Sequence, residues 1–177
     1  MPAVLLSAPA AEPIGLADAK AFLRLDHDAE DALVLDLVAA ARAQVETLTR
    51  RVLVAQRWRL DVAVPADGAP LMLRPRPVRE VEEVRIRRMG GALDVLYEAH
   101  WTFDWAGERL TFSPSVPPGA RVEIDLAVGY GDPDQTPESL RLAVRRLAAD
   151  AFERRSGRDG PPADVSGLVD PYRDVRL

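Results

Sequence analysis

The spacing of apolar residues in the first third of the chain predicts two helices, one over 15–24 and a longer one over 28–51. The apolar side of the short helix is formed by Leu16, Ala19, Phe22 and Leu23. The long helix carries apolar residues three and four positions apart, at Leu33, Val34, Leu37, Val38, Ala41, Val45, Leu48 and Val52. Asp28 is predicted to be its N-cap, because a side-chain oxygen there accepts a hydrogen bond from a free backbone N–H of the first turn.

Polar and apolar residues alternate in the middle of the chain, which is the period of a half-buried β-strand. Clear strands are predicted over 57–64, 71–74, 84–87 and 121–128, and weaker ones over 92–97, 101–105 and 109–112. Gly and Pro residues separate these runs at turns. The pattern predicts a small antiparallel β-domain over 56–135, inserted between helices.

A helical pattern returns after residue 135. Thr136 is a suitable N-cap, and Pro137 suits the first helical position. The apolar stripe of this helix comprises Leu140, Val144, Leu147, Ala151 and Phe152. We expect this stripe to pack against the long helix of the first third. Residues 156–177 contain three Gly and three Pro, so the segment from 157 onward is predicted to be extended rather than packed.

These elements indicate an α+β fold: a helical bundle with an inserted small antiparallel β-domain and an extended C-terminal tail. The predicted parts are 1–55 for an N-terminal arm and the N-terminal helices, 56–135 for the β insertion, 136–156 for the C-terminal helix, and 157–177 for the tail. The apolar N-terminal residues are interpreted as an arm of the mature protein. No Lys or Arg precedes Lys20, whereas a secretory signal requires an early positive charge.

Composition argues against several classes of function. The 177 residues include no Cys and two His, which excludes disulfides and thiolate chemistry and removes the commonest zinc ligands. We therefore predict no cofactor, no metal site and no catalytic residue. The net charge of −5 is opposite in sign to a nucleic-acid-reading surface, and no apolar run approaches the ~20 residues of a membrane helix.

Two short motifs are interpreted as local structure. The Gly-Tyr-Gly of 129–131 follows a strand, but Asp134 stands where a dinucleotide fingerprint needs its third glycine. The acids of 26–31 resemble the start of a calcium loop but lack its central glycine. Arginines at alternate strand positions are expected to lie on a sheet face balanced by nearby acids: Arg57, Arg59, Arg85 and Arg87.

Three segments, in this order and spacing, are similar to those of one protein family. They are 12–26 with the long helix that follows, 128–155 with its Val128-Gly-Tyr-Gly-Asp132 and Thr136-Pro-Glu-Ser139 motifs, and the ending Pro171-Tyr-Arg-Asp-Val-Arg-Leu177. Together they resemble the head–tail connector (adaptor) family of long-tailed phages and of phage-derived gene transfer agents. The resemblance runs from about residue 12 to the C-terminus.

The resemblance implies a structural role. Such an adaptor is expected to form a homo-oligomeric ring, twelvefold, beneath the portal protein, to join it to a stopper or other neck protein, and to let DNA pass through a central channel. The implied place is the head–tail junction of a virion or phage-like particle, assembled in the bacterial cytoplasm without a membrane partner. A stopper or tail-completion protein is the alternative within this class. A small enzyme or a regulatory binding module is the alternative from another class.

Two sets of residues are candidates for contacts in such a ring. Charged residues beside the apolar stripes are candidates for the subunit interface: Arg42, Glu46, Arg141 and Arg145. Apolar anchors and arginines of the tail are candidates for portal binding: Leu168, Val169, Tyr172, Arg173, Val175, Arg176 and Leu177. A segment that does not fold alone but carries such anchors is suited to docking on a partner.

Overall fold

Four α-helices belong to one unit of the structure, a computed structural model that describes residues 3–153 and 163–173. They are α1 (Leu16–Leu23), α2 (Asp31–Thr49), α3 (Glu138–Glu153) and α4 (Ala163–Val169). This helical unit comprises residues 9–54 and 130–177, and a β unit comprises residues 1–8 and 55–129. The first three helices are those predicted from the sequence, each within a few residues of its predicted ends.

The core of the helical unit forms where α3 packs against α2 and α4. The two long helices contribute Val34, Val38, Ala41, Val45, Leu140, Ala143, Val144, Leu147 and Ala148. This confirms the predicted packing of their apolar stripes. Leu33 and Phe22, both predicted to face the core, are instead 48% and 43% exposed. Leu33 lies about 100° around the helix from the buried Val34, on the side of α2 that is turned away from the core.

The start of α2 differs from the prediction. Asp28 is not its N-cap: the helix begins at Asp31, and Glu30 occupies the cap position without a side-chain hydrogen bond. Lys20 on α1 instead donates to Asp28 Oδ1 at 2.5 Å and lies 2.7 Å from Asp31 Oδ1. The hydrogen bond from Lys20 lowers the pKa of Asp28. The Asp28 carboxylate is therefore used to tie α1 to the segment before α2.

The predicted extended tail is wrong for residues 163–172. These residues form α4 and a following 3-10 turn, Asp170–Tyr172. The residues that pack into the helical core are Val165, Leu168, Val169 and Tyr172. Their spacing of three and four residues is that of an amphipathic helix, and burial of this stripe outweighs the local cost of Gly167. Residues 157–162 and 174–177 lie outside the described residues.

The β unit contains two antiparallel sheets. Its strands are β1 (Ala3–Ser7), β2 (Gln56–Ala63), β3 (Leu71–Met72), β4 (Val78–Arg87), β5 (Leu93–Val95), β6 (Trp101–Asp104), β7 (Arg109–Phe112) and β8 (Arg121–Val128). The larger sheet has the order β1-β2-β8-β4-β5, and the smaller has the order β3-β7-β6. One face of the larger sheet is buried through Leu60, Val62, Val84, Ile86, Val122, Ile124 and Leu126. A strand forms in each predicted run, although β4 begins six residues before its predicted start. Burial does not alternate along β8, because Glu123 and Asp125 on its other face are also buried.

Residues 3–7, predicted to be an N-terminal arm, form a strand of the β unit. They pair antiparallel with β2 as the outermost strand of the larger sheet. The run Ala-Val-Leu-Leu-Ser has no polar–apolar alternation, and all five residues are exposed. Its pairing partner lies about fifty residues further along the sequence. Neither fact leaves a local signal for a strand.

The Gly-Tyr-Gly motif at 129–131 forms a turn, as interpreted from the sequence. Gly129 and Gly131 have φ values of 101° and 123°, which are accessible to glycine at little cost. The backbone N–H of Asp132 donates to Gln135 Oε1 at 2.9 Å. A Cβ on Gly131 would lie 1.7 Å from that same amide oxygen. The glycine is therefore required for the close approach of Gln135, which precedes α3.

Candidate assembly surfaces

The face of the larger sheet opposite its buried side carries rows of paired charges. Arg59 makes two parallel hydrogen bonds to Asp125, at 2.7 and 2.8 Å, and Arg85 Nη2 donates to Asp125 Oδ2 at 2.9 Å. Arg87 Nη2 donates to Glu123 Oε1 at 2.5 Å. The guanidinium fork matches a carboxylate at two points, so Arg59 and Asp125 hold each other in a fixed geometry.

These pairs neutralise the sheet face. Burial alone would raise the pKa of Asp125, but the hydrogen bond from Arg59 and the charge of Arg85 outweigh it and lower the pKa. Arg57 completes the face through a hydrogen bond of 2.6 Å to Glu82. The predicted balance of arginines and acids is confirmed. This face therefore lacks the positive stripe that a DNA-reading surface needs.

Arg42 and Glu46, two predicted interface residues, form a cluster within one chain. Arg42 Nε donates to Glu12 Oε2 at 2.7 Å, and its Nη1 donates to Glu46 Oε2 at 2.8 Å. Glu46 Oε1 also accepts the backbone N–H of Leu53 at 2.9 Å. Burial raises the pKa of Glu46 against the opposing effects of the Leu53 N–H and Arg42. The cluster ties the segment before α1 and the segment after α2 to the middle of α2.

Arg141 and Arg145 meet at a shared partner on α3. Glu138 lies 2.5 Å from Arg145 Nη1 and 3.1 Å from Arg141 Nη1. The hydrogen bond from Arg145 lowers the pKa of Glu138. Arg141 Nε also donates to the backbone oxygen of Pro13 at 3.2 Å. One carboxylate against two guanidinium groups leaves a net positive charge on this side of α3. Whether these residues contact a neighbouring subunit stays a prediction.

The predicted portal-binding residues divide into packed and terminal ones. Val169 is fully buried, and Leu168 packs against the same core. Tyr172 accepts a hydrogen bond from Ser139 Oγ at 3.0 Å, and its backbone oxygen accepts one from Arg51 Nε at 2.9 Å. These contacts anchor the end of α4 within its own subunit. Arg173, the last described residue, is exposed and lies 3.2 Å from Asp170. The remaining candidates lie outside the described residues: Val175, Arg176 and Leu177.

Sequence reasoning missed an exposed apolar surface on the β unit. Its exposed large side chains are Val4, Leu5, Leu6, Met89, Leu93, Val95, Tyr97 and Trp105. Most of them lie on or beside the two outermost strands of the larger sheet, β1 and β5. The signal was weak because each run is only three to five residues long, and such runs read as loops or as buried strands.

A metal site or a membrane span would require a particular arrangement of the described residues. Within 3–153 and 163–173, no group of three or more His, Asp or Glu side chains is placed to hold a metal ion. No helix in the same ranges is both long and apolar enough to cross a membrane.

The chain is similar to one protein family and to chains of known structure. The family of phage gp6-like head-tail connector proteins matches residues 13–83. A chain from the neck of an empty gene transfer agent (GTA) particle, computed with C6 symmetry, is 29% identical with a TM-score of 0.85, covering 100% of this chain and 97% of that chain. A chain from the neck of a native GTA particle, computed with C12 symmetry, is 30% identical with a TM-score of 0.76 over 98% and 97% of the two chains.

A chain from the virion of a native GTA particle is likewise 29% identical, with a TM-score of 0.85 and coverage of 100% and 97%. No curated protein sequence matches the chain. The matched family and the neck structures are of structural proteins, which confirms the expectation that the chain is not an enzyme. The similarity to neck chains extends over both units, whereas the family model matches residues 13–83.

Proposed function

This chain belongs to the phage head-tail connector family, and we propose that it is the adaptor in the neck of a phage or phage-like particle. The observation that carries the proposal is the likeness to GTA neck chains over at least 98% of its length. In this proposal the subunits form a twelvefold ring at the head–tail junction, beneath the portal protein and above a stopper or other neck protein. The ring assembles in the bacterial cytoplasm.

The charge of the chain is compatible with a conduit for DNA. The net charge is −5, and the arginines of the larger sheet are held by carboxylates. A channel wall of the same sign as DNA repels the phosphate backbone, which favours passage over binding. We propose that DNA passes through the ring without sequence recognition.

The portal contact is proposed to begin at Arg173. The core of the subunit already includes the side chains of Leu168, Val169 and Tyr172. These side chains are therefore not available for contact with a portal. Of the predicted portal-binding residues, we keep two arginines and two apolar residues as the proposed contacts: Arg173, Val175, Arg176 and Leu177. Arginine can bond a portal carboxylate at two points, and many weak C-terminal contacts in one ring add to a strong attachment.

The subunit contact is proposed to involve the positive side of α3. Reversing both Arg141 and Arg145 to Glu places three acids together with Glu138 and should prevent ring formation on the particle. A control of equal charge change replaces Arg24 and Arg50, two exposed arginines of the helical unit, by Glu. Both variants change the net charge by the same amount. Normal particle yield from the Arg141/Arg145 variant would rule out this interface.

The function as a whole is tested in cells that produce the particle. Without the chain, heads should package DNA but lack tails, and the packaged DNA should leak out. Electron microscopy shows the missing tails, and nuclease sensitivity measures the leaked DNA. A variant truncated after Tyr172 should fold normally but be missing from purified heads. The matched control carries Asp174→Ala in the full-length chain and should occupy heads normally. Tailed, infectious or gene-transferring particles made without the chain would refute the proposal.

A further inference from the structure

The strand β1 exposes both of its faces and its outer edge. Val4 lies opposite Arg59 of β2 and Leu5 opposite Trp58, so these two side chains point to opposite faces of the sheet. They are 58% and 45% exposed, and Leu6 is 38% exposed. Among the described residues β2 is the sole strand paired with β1. An uncharged apolar edge strand of this kind is a template for pairing with another strand.

The opposite edge of the same sheet carries a similar feature. Leu93 and Val95 of β5 lie opposite Arg87 and Arg85 of β4, on the charged face of the sheet. Val4 shares that face, because its partner on β2 is Arg59. The larger sheet therefore carries exposed aliphatic residues at both of its edges on one face, with rows of ion pairs between them.

A groove extends the β5 edge. β5 pairs with residues 85–87 of β4, and the preceding part of β4 borders a groove of about 550 Å³. Apolar and aromatic residues line most of this groove, together with three glutamates: Val81, Val84, Val95, Leu96, Tyr97, Ala99 and Trp101 beside Glu82, Glu83 and Glu98. Tyr97 is 73% exposed. Strand addition uses main-chain hydrogen bonds for affinity and such pockets for alternate side chains.

The strand directions allow the two edges to meet between identical subunits. Each neighbouring pair in the sheet of five strands is antiparallel, so β1 and β5 run in the same direction. A second copy placed beside the first without inversion presents its β1 parallel to β5. Such a head-to-tail contact uses two different surfaces of one chain and closes into a ring under rotation. The C6 and C12 neck structures similar to this chain have that kind of symmetry.

We propose that adjacent copies of this chain join edge to edge, with β1 of one copy added to β5 of the next and its aliphatic side chains covering Val95 and the adjoining groove. This inference rests on the proposed function, since the ring is the setting in which the two edges meet. In this proposal each edge of the sheet pairs with another copy of the same chain.

Cysteine cross-linking tests this contact directly, because the chain has no Cys of its own. The full-length Val4→Cys/Val95→Cys variant is incorporated into particles and treated with a short bis-maleimide. We expect a ladder of covalent oligomers that extends beyond the dimer. The two single variants should each remain monomeric alone and should give a dimer when mixed. The matched control is Val4→Cys/Leu33→Cys, in which the second cysteine is moved from β5 to a similarly exposed position on α2. This variant should give no ladder.

The outcomes separate this inference from the proposed function. If the chain is present in the neck but the Val4/Val95 pair gives no ladder, the edge contact is refuted and the adaptor function stands. A ladder from the control pair also refutes the edge contact, because linking would not depend on β5. If the chain is absent from the neck, both are refuted. A second variant, Val95→Glu, alters an exposed side chain and should abolish ring formation while leaving the thermal unfolding of the free subunit unchanged.

Discussion

Replacement of Val169 by Ala tests whether the C-terminal helix belongs to the core of the helical unit. Val169 on α4 is fully buried among residues of α2 and α3. The change removes two methyl groups, worth ~0.8 kcal/mol each in transfer free energy, and leaves a cavity that adds to the cost. We expect the free energy of unfolding to fall by about 2–3 kcal/mol. For a domain of this size that loss lowers the melting temperature by roughly 4–12 °C.

Urea unfolding followed by circular dichroism measures this loss as a lower midpoint at an unchanged slope. The control is Ser166→Ala on the same helix, a half-buried position where the free energy of unfolding should change by less than about 0.5 kcal/mol. An unchanged midpoint for Val169→Ala would refute the reasoning, because α4 would then unfold separately from the core. The C-terminal segment could in that case act as a free arm from residue 163 rather than from Arg173.

Two further predictions concern the ion pairs and the turn before α3. The pKa of Asp125 is lower in the folded chain, so its contribution to stability is present above its unfolded pKa of about 4 and is lost as the pH falls through the folded pKa. Asp125→Asn should therefore flatten the acid limb of stability against pH, whereas Asp94→Asn at an exposed pair should not. Gly131→Ala should cost about 1 kcal/mol more than Gly119→Ala in urea unfolding, since both have positive φ but only the first displaces Gln135 from the Asp132 N–H.

The long elements were predictable because their periods extend over many residues. The strand Arg121–Val128 was predicted with both ends correct, since eight alternating residues leave little freedom of interpretation. The core of α2 was predicted in part. The apolar residues of α2, which include both Leu33 and Val34, cover a wider arc of the helix than the arc that is buried. The sequence alone does not indicate which part of this arc contacts α3.

The short elements were not predictable on the same grounds. α4 is seven residues long, and its Gly167 and neighbouring prolines resemble a loop in composition. Its helical spacing gains meaning only when the core that receives Val165 and Val169 is known. The strand β1 depends in the same way on a distant partner. Local propensity is a weak guide wherever tertiary packing supplies most of the stability.

The sequence predicts which charged residues take part in the candidate contacts, but not all of the residues with which they pair. The sequence placed Arg42 and Glu46 one turn apart, and the structure joins them to each other. It could not supply Glu12, which lies thirty residues earlier, or the Leu53 N–H that holds the second carboxylate oxygen of Glu46. Charge partners distant in sequence require the fold to be known. The same holds for Asp125, which receives two arginines from different strands.

The packing of α4 also determines where a portal contact of this segment would begin. Tyr172 is held by hydrogen bonds at both its hydroxyl and its backbone oxygen. The backbone at this point is therefore tied to α2 through Arg51, and the side chain is tied to α3 through Ser139. If the portal is bound by Arg173 and the residues after it, as proposed, the contact starts directly beside the helical unit. Surface charges of α3 and α4 near Tyr172 then become candidates for additional portal contacts.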